Sequence, residues 1–400
     1  MKYNNPLSNS SIQKDGLITD LVNGCSEKKI NKLRIGILGT RGIPNQYGGF
    51  EQFAEYLSVG LTLKGHEVHV YNSHDHSYQA KVWNNVHIIH CHDPSARMGT
   101  FSQFIYDLNC LKDSHKRDFD IILMLGYSSS SIWHAYFPGV PVIFNMDGLE
   151  WQRKKYKRPI QRFLKYAERL AIRHGDYFIA DSPVIKNYLE KKYLIHCEPI
   201  SYGAEILANE NEDLLFEYNV APYQYYLLIA RMEPENNIDM ILGAFHETDS
   251  TKKFIVIGST DNHYGRSLVN KFRKDERIEF IGGIYDNPQK IHTLRKFCRL
   301  YFHGHSVGGT NPSLLEAMSS QALIASHDNS FNRAVLGENA YYFKTAADIR
   351  TIMQTRSKER EMKMIRENLV KIRNEFNWRT IIDRYDRFIK QCHLQAKTVK

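Results

Sequence analysis

Three features of the sequence predict an α/β fold made of two domains, each with its own parallel sheet. Continuous apolar runs such as Ile121-Ile122-Leu123-Met124-Leu125 alternate with amphipathic helical patterns in both halves of the chain. Runs that do not alternate with polar residues belong to strands buried on both faces, the condition of a parallel sheet flanked by helices. A glycine-rich loop follows the first such run, and a second loop leading into a helix follows a run in the other half. Each has the strand, loop, helix-start geometry in which free backbone N–H groups and a positive dipole end meet phosphate. One loop per half points to a ligand site built between two α/β domains.

Taken in order, residues 1–32 are polar, lack the apolar core of a secretory signal, and are expected to be a disordered leader. Strands expected at 34–39, 67–72, 86–91, 120–126, 140–146, 176–181 and 197–202 make up a first domain over 33–205. Asn, Glu and Asp accumulate over 204–222 before Pro222 and mark the boundary. A second domain, 206–376, takes strands at 225–230, 254–258, 278–282, 300–303, 323–326 and 341–343. From about 346 the pattern is helical and highly charged, and 377–400 is a final amphipathic helix.

The first loop runs Thr40-Arg41-Gly42-Ile43-Pro44-Asn45-Gln46-Tyr47-Gly48-Gly49-Phe50-Glu51, ahead of a helix carrying Phe53, Leu57, Leu61 and Leu63. Glycine admits backbone close to a ligand, although a plain strand-to-helix turn explains the same residues. The second loop, His305-Ser306-Val307-Gly308-Gly309-Thr310-Asn311-Pro312, follows the apolar run Leu300-Tyr301-Phe302. Glu316 stands about one turn into the helix after it, where a carboxylate is a divalent acceptor for ribose hydroxyls. A helix capped by Thr310 or Asn311, with Glu316 serving only the first turn, is the alternative.

Composition narrows the function classes. Four hundred residues with 42% hydrophobic content suffice for two cores. No stretch reaches the roughly 20 apolar residues of a membrane span. The six cysteines are scattered without a CxxC pair, and Cys91 in a strand and Cys298 in a helix read as core residues of a protein in a reducing cytoplasm. Of 18 histidines, His74 and His76 around Asp75 come nearest to a metal pattern, and a solvated turn accounts for them. The net charge of +9 is concentrated between Arg153 and Arg173, where Glu168 is the sole acid. That segment is an amphipathic helix whose basic face is either simply solvated or set against an anionic membrane surface. Nucleic acid is not expected as a partner, because no zinc-finger, RNP-like or helix-turn-helix pattern accompanies the charge.

With these motifs in place, the chain resembles the GT-B glycosyltransferases, and among them the retaining family-4 enzymes that use nucleotide sugars. The resemblance covers roughly residues 33 to 395. It implies two Rossmann-like domains facing across a cleft, with the terminal helix crossing back to the first. Ala230-Arg231-Met232-Glu233-Pro234-Glu235-Asn236-Asn237 resembles the family's "GR…P-E-K" segment, whose arginine and lysine grip the donor diphosphate. His305 to Met318 resembles the glutamate loop. The run from Gly39 to Glu51, and Asn145-Met146-Asp147-Gly148-Leu149-Glu150-Trp151, resemble a bacterial subgroup of rhamnosyltransferases. Two departures stand out: Asn236 replaces the diphosphate lysine, and Gly308 replaces the first glutamate of the family's pair.

The resemblance implies a hexosyltransferase that retains anomeric configuration and moves a sugar, with L-rhamnose suggested by the subgroup, to a polysaccharide or lipid-linked saccharide. Electrostatics aimed at the leaving diphosphate should dominate. Arg231, Asn236, His305 and the backbone of Gly309, Thr310 and Asn311 are assigned to the donor, with Gly48 and Gly49 closing from the first domain and Glu316 on the ribose. Asp147 and Glu150, just beyond a buried strand, are assigned to the acceptor hydroxyl or its proton. Capping the basic helix is their alternative role. Tyr47 and Trp151 are acceptor contacts in this scheme, with packing the alternative for Trp151. No metal or other cofactor is expected, since no DxD pair follows a strand. The place of action is the cytoplasm, peripheral to the inner membrane face. Losses at Asn236 and Gly308 leave open a catalytically silent nucleotide-sugar-binding or scaffold protein. An NAD(P) oxidoreductase, drawing on Gly36, Gly39 and Gly42, lacks an acidic residue at the tip Tyr71-Asn72-Ser73 of the second strand.

Overall fold

A computed structural model of the chain describes residues 32–399 apart from 47, 208–210, 285–286 and 357. The expected leader therefore lies outside the described residues, save for Lys32. Strands are β1 (Arg34–Leu38), β2 (Glu67–Ser73), β3 (Val82–Trp83), β4 (Val86–Cys91), β5 (Ile121–Leu125), β6 (Val142–Asn145), β7 (Tyr177–Ala180) and β8 (Glu198–Pro199). There follow β9 (Tyr225–Ile229), β10 (Lys253–Ile257), β11 (Ile278–Phe280), β12 (Leu300–His303), β13 (Ile324–His327) and β14 (Tyr341–Phe343). The helices that bear on the site are α1 (Gly49–Leu63), α2 (Ser102–Ser114), α3 (Arg158–His174), α4 (Pro183–Tyr193), α5 (Ile238–His246), α6 (His263–Phe272), α7 (Pro288–Phe297) and α8 (Pro312–Ser319). Then come α9 (Ser330–Leu336), α10 (Ala346–Thr355), α11 (Met362–Asn374) and α12 (Trp378–Val399). Only β3, two residues long and too short to carry a periodicity, was not legible as a strand.

The strands form two sheets, ordered β3-β4-β2-β1-β5-β6-β7-β8 and β11-β10-β9-β12-β13-β14. Every pairing in the second sheet is parallel. In the first sheet β1–β2, β2–β4, β6–β7 and β7–β8 are parallel, and β3 is antiparallel to β4. The chain divides into two compact units: the described residues up to Leu123 with 138–141 and 382 onward, and residues 124–137 with 142–381. Residues 142–205, grouped by linear sequence with the first domain, thus pack in the second unit.

In the first unit, Arg34 pairs in register with Glu67 and His69 with His87. α1 buries Phe53, Ala54, Leu57 and Leu61. α12 packs along it, with the Tyr385 and Phe53 rings 5.2 Å apart. Gly60 permits the approach, since a Cβ there would lie 2.4 Å from Ile382 Cδ1. A buried polar link fixes the helix end. His66 Nδ1 accepts the Leu33 N–H at 3.2 Å, so the ring proton sits on Nε2, which donates to Asp386 at 2.7 Å. Burial pushes the Asp386 carboxyl up, but hydrogen bonds from His66 and Lys390 outweigh it and leave it below its ordinary range.

In the second unit, Leu242, Phe245, Phe254, Phe302 and Phe343 form an apolar core between the sheet and α5, α6 and α10. Phe254 and Phe302 stack at 5.6 Å. The five described cysteines are buried, and none of them is in a disulfide among the described residues. Cys298 is not helical: it follows α7 with extended backbone, ψ 150°, and leads into β12. Its burial, rather than its secondary structure, is what the apolar surroundings in sequence predicted.

Asp386→Ala leaves the His66 N–H buried without an acceptor. It is expected to lower unfolding stability by about 1–3 kcal/mol at an unchanged m-value in urea titration.

Candidate functional site

In the second unit, four loops meet at the carboxyl ends of β6, β7, β9 and β12, where parallel sheets leave backbone groups free for ligands. After β6, buried Asn145 accepts the Asp147 N–H through its side chain at 3.1 Å, and Asp147 adopts left-handed backbone, φ 48°. A non-glycine residue held there is a form of strain that clusters at functional sites. The Asp147 carboxylate accepts no hydrogen bond among the described residues. Gly148 then lies directly against the second loop: a Cβ on it would stand 3.0 Å from Gly308 Cα and 3.2 Å from Gly309 N.

Glu150 is largely buried and accepts from Arg153 Nε at 2.6 Å. Burial raises its carboxyl pKa, Arg153 opposes the rise and Asp147 adds to it. Arg153 also stands 3.8 Å from Glu235, whose buried carboxylate has no hydrogen-bond partner among the described residues. Trp151 is turned toward the protein. Its indole N–H donates to Glu168 at 3.0 Å, and Lys165 lies 4.1 Å from the ring centroid. Glu168, the lone acid of the basic segment, is fully buried and also accepts from Tyr188, Tyr193 and Lys192.

After β9, Arg231 is exposed, and its carbonyl accepts the side-chain amide of Asn236 at 2.7 Å. Asn236 is buried and shapes this turn with that amide. Asn237, φ 51°, ties the turn to the Gly304 carbonyl at 2.8 Å. After β12, His303 and His305 stack with centroids 4.4 Å apart. Burial, then the neighbouring Arg231 and Arg153, pushes the His305 imidazole down to about 3, so the ring is neutral at physiological pH. The loop is pinned by Ser306, which donates twice to the Glu235 carbonyl, and by Asn329 and Asn332, which donate to the His305 carbonyl.

Thr310 is buried, and both its donors are committed to Asp181 at the end of β7: its N–H to Oδ2 at 3.0 Å, its hydroxyl to the carbonyl at 2.6 Å. Asn311 caps α8 by accepting the Ser313 N–H at 2.9 Å, which decides between the two caps the sequence allowed. Glu316 accepts from Arg295 at 2.7 Å; that guanidinium is 4% exposed, comes from α7 and also donates to Ser313.

The second unit therefore brings together Asp147, Glu150, Arg231, Asn236, His305, Gly309, Thr310, Asn311 and Glu316, with Trp151 behind them. Sequence reasoning missed Asp181, Glu235 and Arg295. Asp181 had a signal, because it stands just beyond an apolar strand, as Asp147 and Glu150 do. Arg295 had none, being one cation among several on a helix.

Gly48 and Gly49 belong to the first unit, and Tyr47 lies outside the described residues. There the Glu51 carboxylate accepts the Arg41 N–H at 3.0 Å and the Thr40 hydroxyl at 3.2 Å. A Cβ on Gly48 would stand 1.8 Å from that carboxylate. Arg41, Gln46, Glu51, Ser73, Asp75 and His76 line a recess of about 280 Å³. His74 and His76 each accept a backbone N–H, from Asp93 and Tyr78. Among the described residues Glu67, His69 and His87 have ligand atoms within 4.8 Å of one another. Arg34 at 2.9 Å and Lys32 at 3.4 Å already hold Glu67, and both cations oppose a dication there.

Residues 212–367 match the family described as glycosyl transferases group 1. Residues 32–205 match a domain of unknown function, DUF1972. No curated protein matches the sequence. Among solved structures the chain is similar to sucrose-phosphate synthase from Thermosynechococcus elongatus, with a TM-score of 0.74 at 14% identity over 90% of this chain and 99% of that one. It is similar to Anabaena HepE in complex with UDP-glucose, at 0.71 and 13% over 90% and 100%. It is also similar to α,α-trehalose 6-phosphate synthase from Burkholderia multivorans, at 0.68 and 10% over 93% and 100%. The fold is that of the GT-B glycosyltransferases.

The depressed His305 has a consequence for stability. Its folded pKa of about 3 lies below the unfolded value near 6.5, so the unfolded chain binds the extra proton. Its contribution is present above pH 6.5 and is lost as pH falls toward 3. His305→Asn is expected to lose about 1–3 kcal/mol less than wild type between pH 7 and pH 4, read by urea unfolding at each pH.

Proposed function

We propose that the protein is a retaining glycosyltransferase that uses a nucleoside-diphosphate sugar. The observation that carries this reading is the convergence, within a group 1 glycosyl transferase segment, of Arg231, the Gly308–Gly309 backbone and Glu316 at the carboxyl ends of β9 and β12. In the reaction the bond from C1 to the leaving diphosphate oxygen breaks, a bond from C1 to the acceptor oxygen forms, and the acceptor hydroxyl loses its proton. Arg231, whose guanidinium is exposed, and the Gly309 and Asn311 N–H groups neutralise the leaving charge without metal help. Asn236 contributes by holding the Arg231 turn. Arg295 orients Glu316 for the ribose hydroxyls. Neutral His305 offers a hydrogen bond beside the diphosphate at no added charge. Asp147, with its carboxylate unengaged, takes the acceptor proton, and Glu150 holds Arg153 beside it.

The acceptor in this reading is a saccharide of polysaccharide assembly, carried on a lipid, and L-rhamnose is the sugar. No helix among the described residues is long and apolar enough to cross a membrane. α3 instead exposes Arg158, Arg162, Lys165, Arg169 and Arg173, together with Ile160 and Tyr166. Cations flanked by exposed apolar side chains suit an anionic lipid surface at the inner face of the membrane.

Thermal-shift and hydrolysis measurements with dTDP-, UDP- and GDP-sugars test the donor reading. One nucleotide class is expected to raise the melting temperature of wild type, and Glu316→Ala to abolish the rise. Arg231→Ala is expected to lower turnover by roughly 10²–10³-fold, the scale of a lost leaving-group donor. No shift with any nucleotide defeats the reading. Sedimentation with phosphatidylserine vesicles checks the surface. Binding should fall with salt and weaken about fivefold for each of Arg162→Gln and Arg169→Gln.

A further inference from the structure

The loop that carries Gly308, where the first glutamate of the family's pair would fall, is held from below by a carboxyl just beyond another strand. Asp181 ends β7 and is 2% exposed. Its Oδ2 accepts the Thr310 N–H and its carbonyl accepts the Thr310 hydroxyl. A Cβ on Gly309 would lie 1.9 Å from Oδ1 and 2.0 Å from Oδ2, so carboxyl and loop backbone are in contact with nothing between. Gly148 packs on the same stretch, against Gly308 and the Gly309 nitrogen. Gly308 has φ 140°, which side-chain-bearing residues rarely adopt. Asp181 Oδ1 is buried and has no hydrogen-bond partner.

We propose that Asp181 is a positioning residue for the nucleotide-sugar donor, its buried carboxyl fixing the Gly308–Gly309–Thr310 backbone so that the Gly309 N–H faces the donor. The inference rests on the donor reading above. Drawing the Thr310 N–H inward fixes the peptide that joins Gly309 to Thr310. A glutamate at 308 would be incompatible with the positive φ there, so the carboxyl at the end of β7 takes over the task of setting the loop. Burial, and then the Asp147 carboxylate after β6, pushes the Asp181 pKa well above its ordinary value. Besides Asp147, the Cys197 thiol ahead of β8 faces it, itself raised to about 12 by burial.

The test compares Asp181→Ala, Asp181→Asn, Gly309→Ala and the double variant Asp181→Ala/Gly309→Ala in the full chain, with Glu316→Ala as the donor-site control. Asp181→Ala and Gly309→Ala are each expected to raise the donor KM at least tenfold with a smaller change in kcat. The amide of Asp181→Asn still accepts from Thr310 and should restore KM to within about threefold of wild type. The double variant should be no worse than either single one, since removing the carboxyl makes room for the new methyl. An unchanged donor KM in Asp181→Ala, while Glu316→Ala abolishes binding, overturns the proposal and leaves the donor reading standing. Should Asp181→Ala fail to fold, an unchanged KM in Gly309→Ala overturns it equally. Wild type that binds no nucleotide sugar overturns both.

Discussion

At Gly148, Gly308 and Gly309 backbone meets backbone without a side chain between, and the site of the second unit is organised by that contact. A methyl group at Gly309 would overlap the Asp181 carboxyl, and one at Gly148 would press on Gly308. Loops from two different sheets are thereby brought to van der Waals distance. Polar groups caught in such a seam must be satisfied internally or by a ligand. Thr310 is satisfied by Asp181, Asn236 by the Arg231 carbonyl and Asn237 by Gly304. The Glu235 carboxylate and Asp181 Oδ1 are among the buried polar atoms that find no hydrogen-bond partner among the described residues.

Charge in the site is arranged by burial as much as by pairing. Glu150 and Asp181 are pushed up and His303 and His305 pushed down, each chiefly by burial. Every one of these shifts favours the neutral form. Arg231, Arg153 and Arg295 bring guanidinium groups to the same region, Arg153 beside Glu150 and Arg295 beside Glu316.

The sheet architecture was legible because parallel strands buried on both faces read as unbroken apolar runs. All but one of the strands fell within a few residues of the expected positions, and the exception, Val82–Trp83, is too short to show a pattern. The loops were legible for the same reason, since glycine, proline and a following helix mark the strand ends. Individual roles were harder to read. Trp151 was open to sugar stacking or to packing, and nothing near it in sequence announced that Glu168, seventeen residues later, holds its N–H. Asn236 looked like a weakened lysine, whereas its amide closes a turn five residues long. Cys298 looked helical because apolar and basic residues precede it at helical spacing.

By itself the sequence determined the two-sheet α/β fold, the strand positions and the two glycine-rich loops, because burial and backbone freedom are properties of local composition. The tertiary structure alone decided which carboxyl supports which loop. Asp181 and Thr310 are 129 residues apart, and Arg295 and Glu316 are 21 apart on different helices. Neither spacing is a helical or strand period, so no pattern in the chain announces those pairs. They exist because separate strands end at the same place in space, and that follows from sheet packing rather than from any one segment.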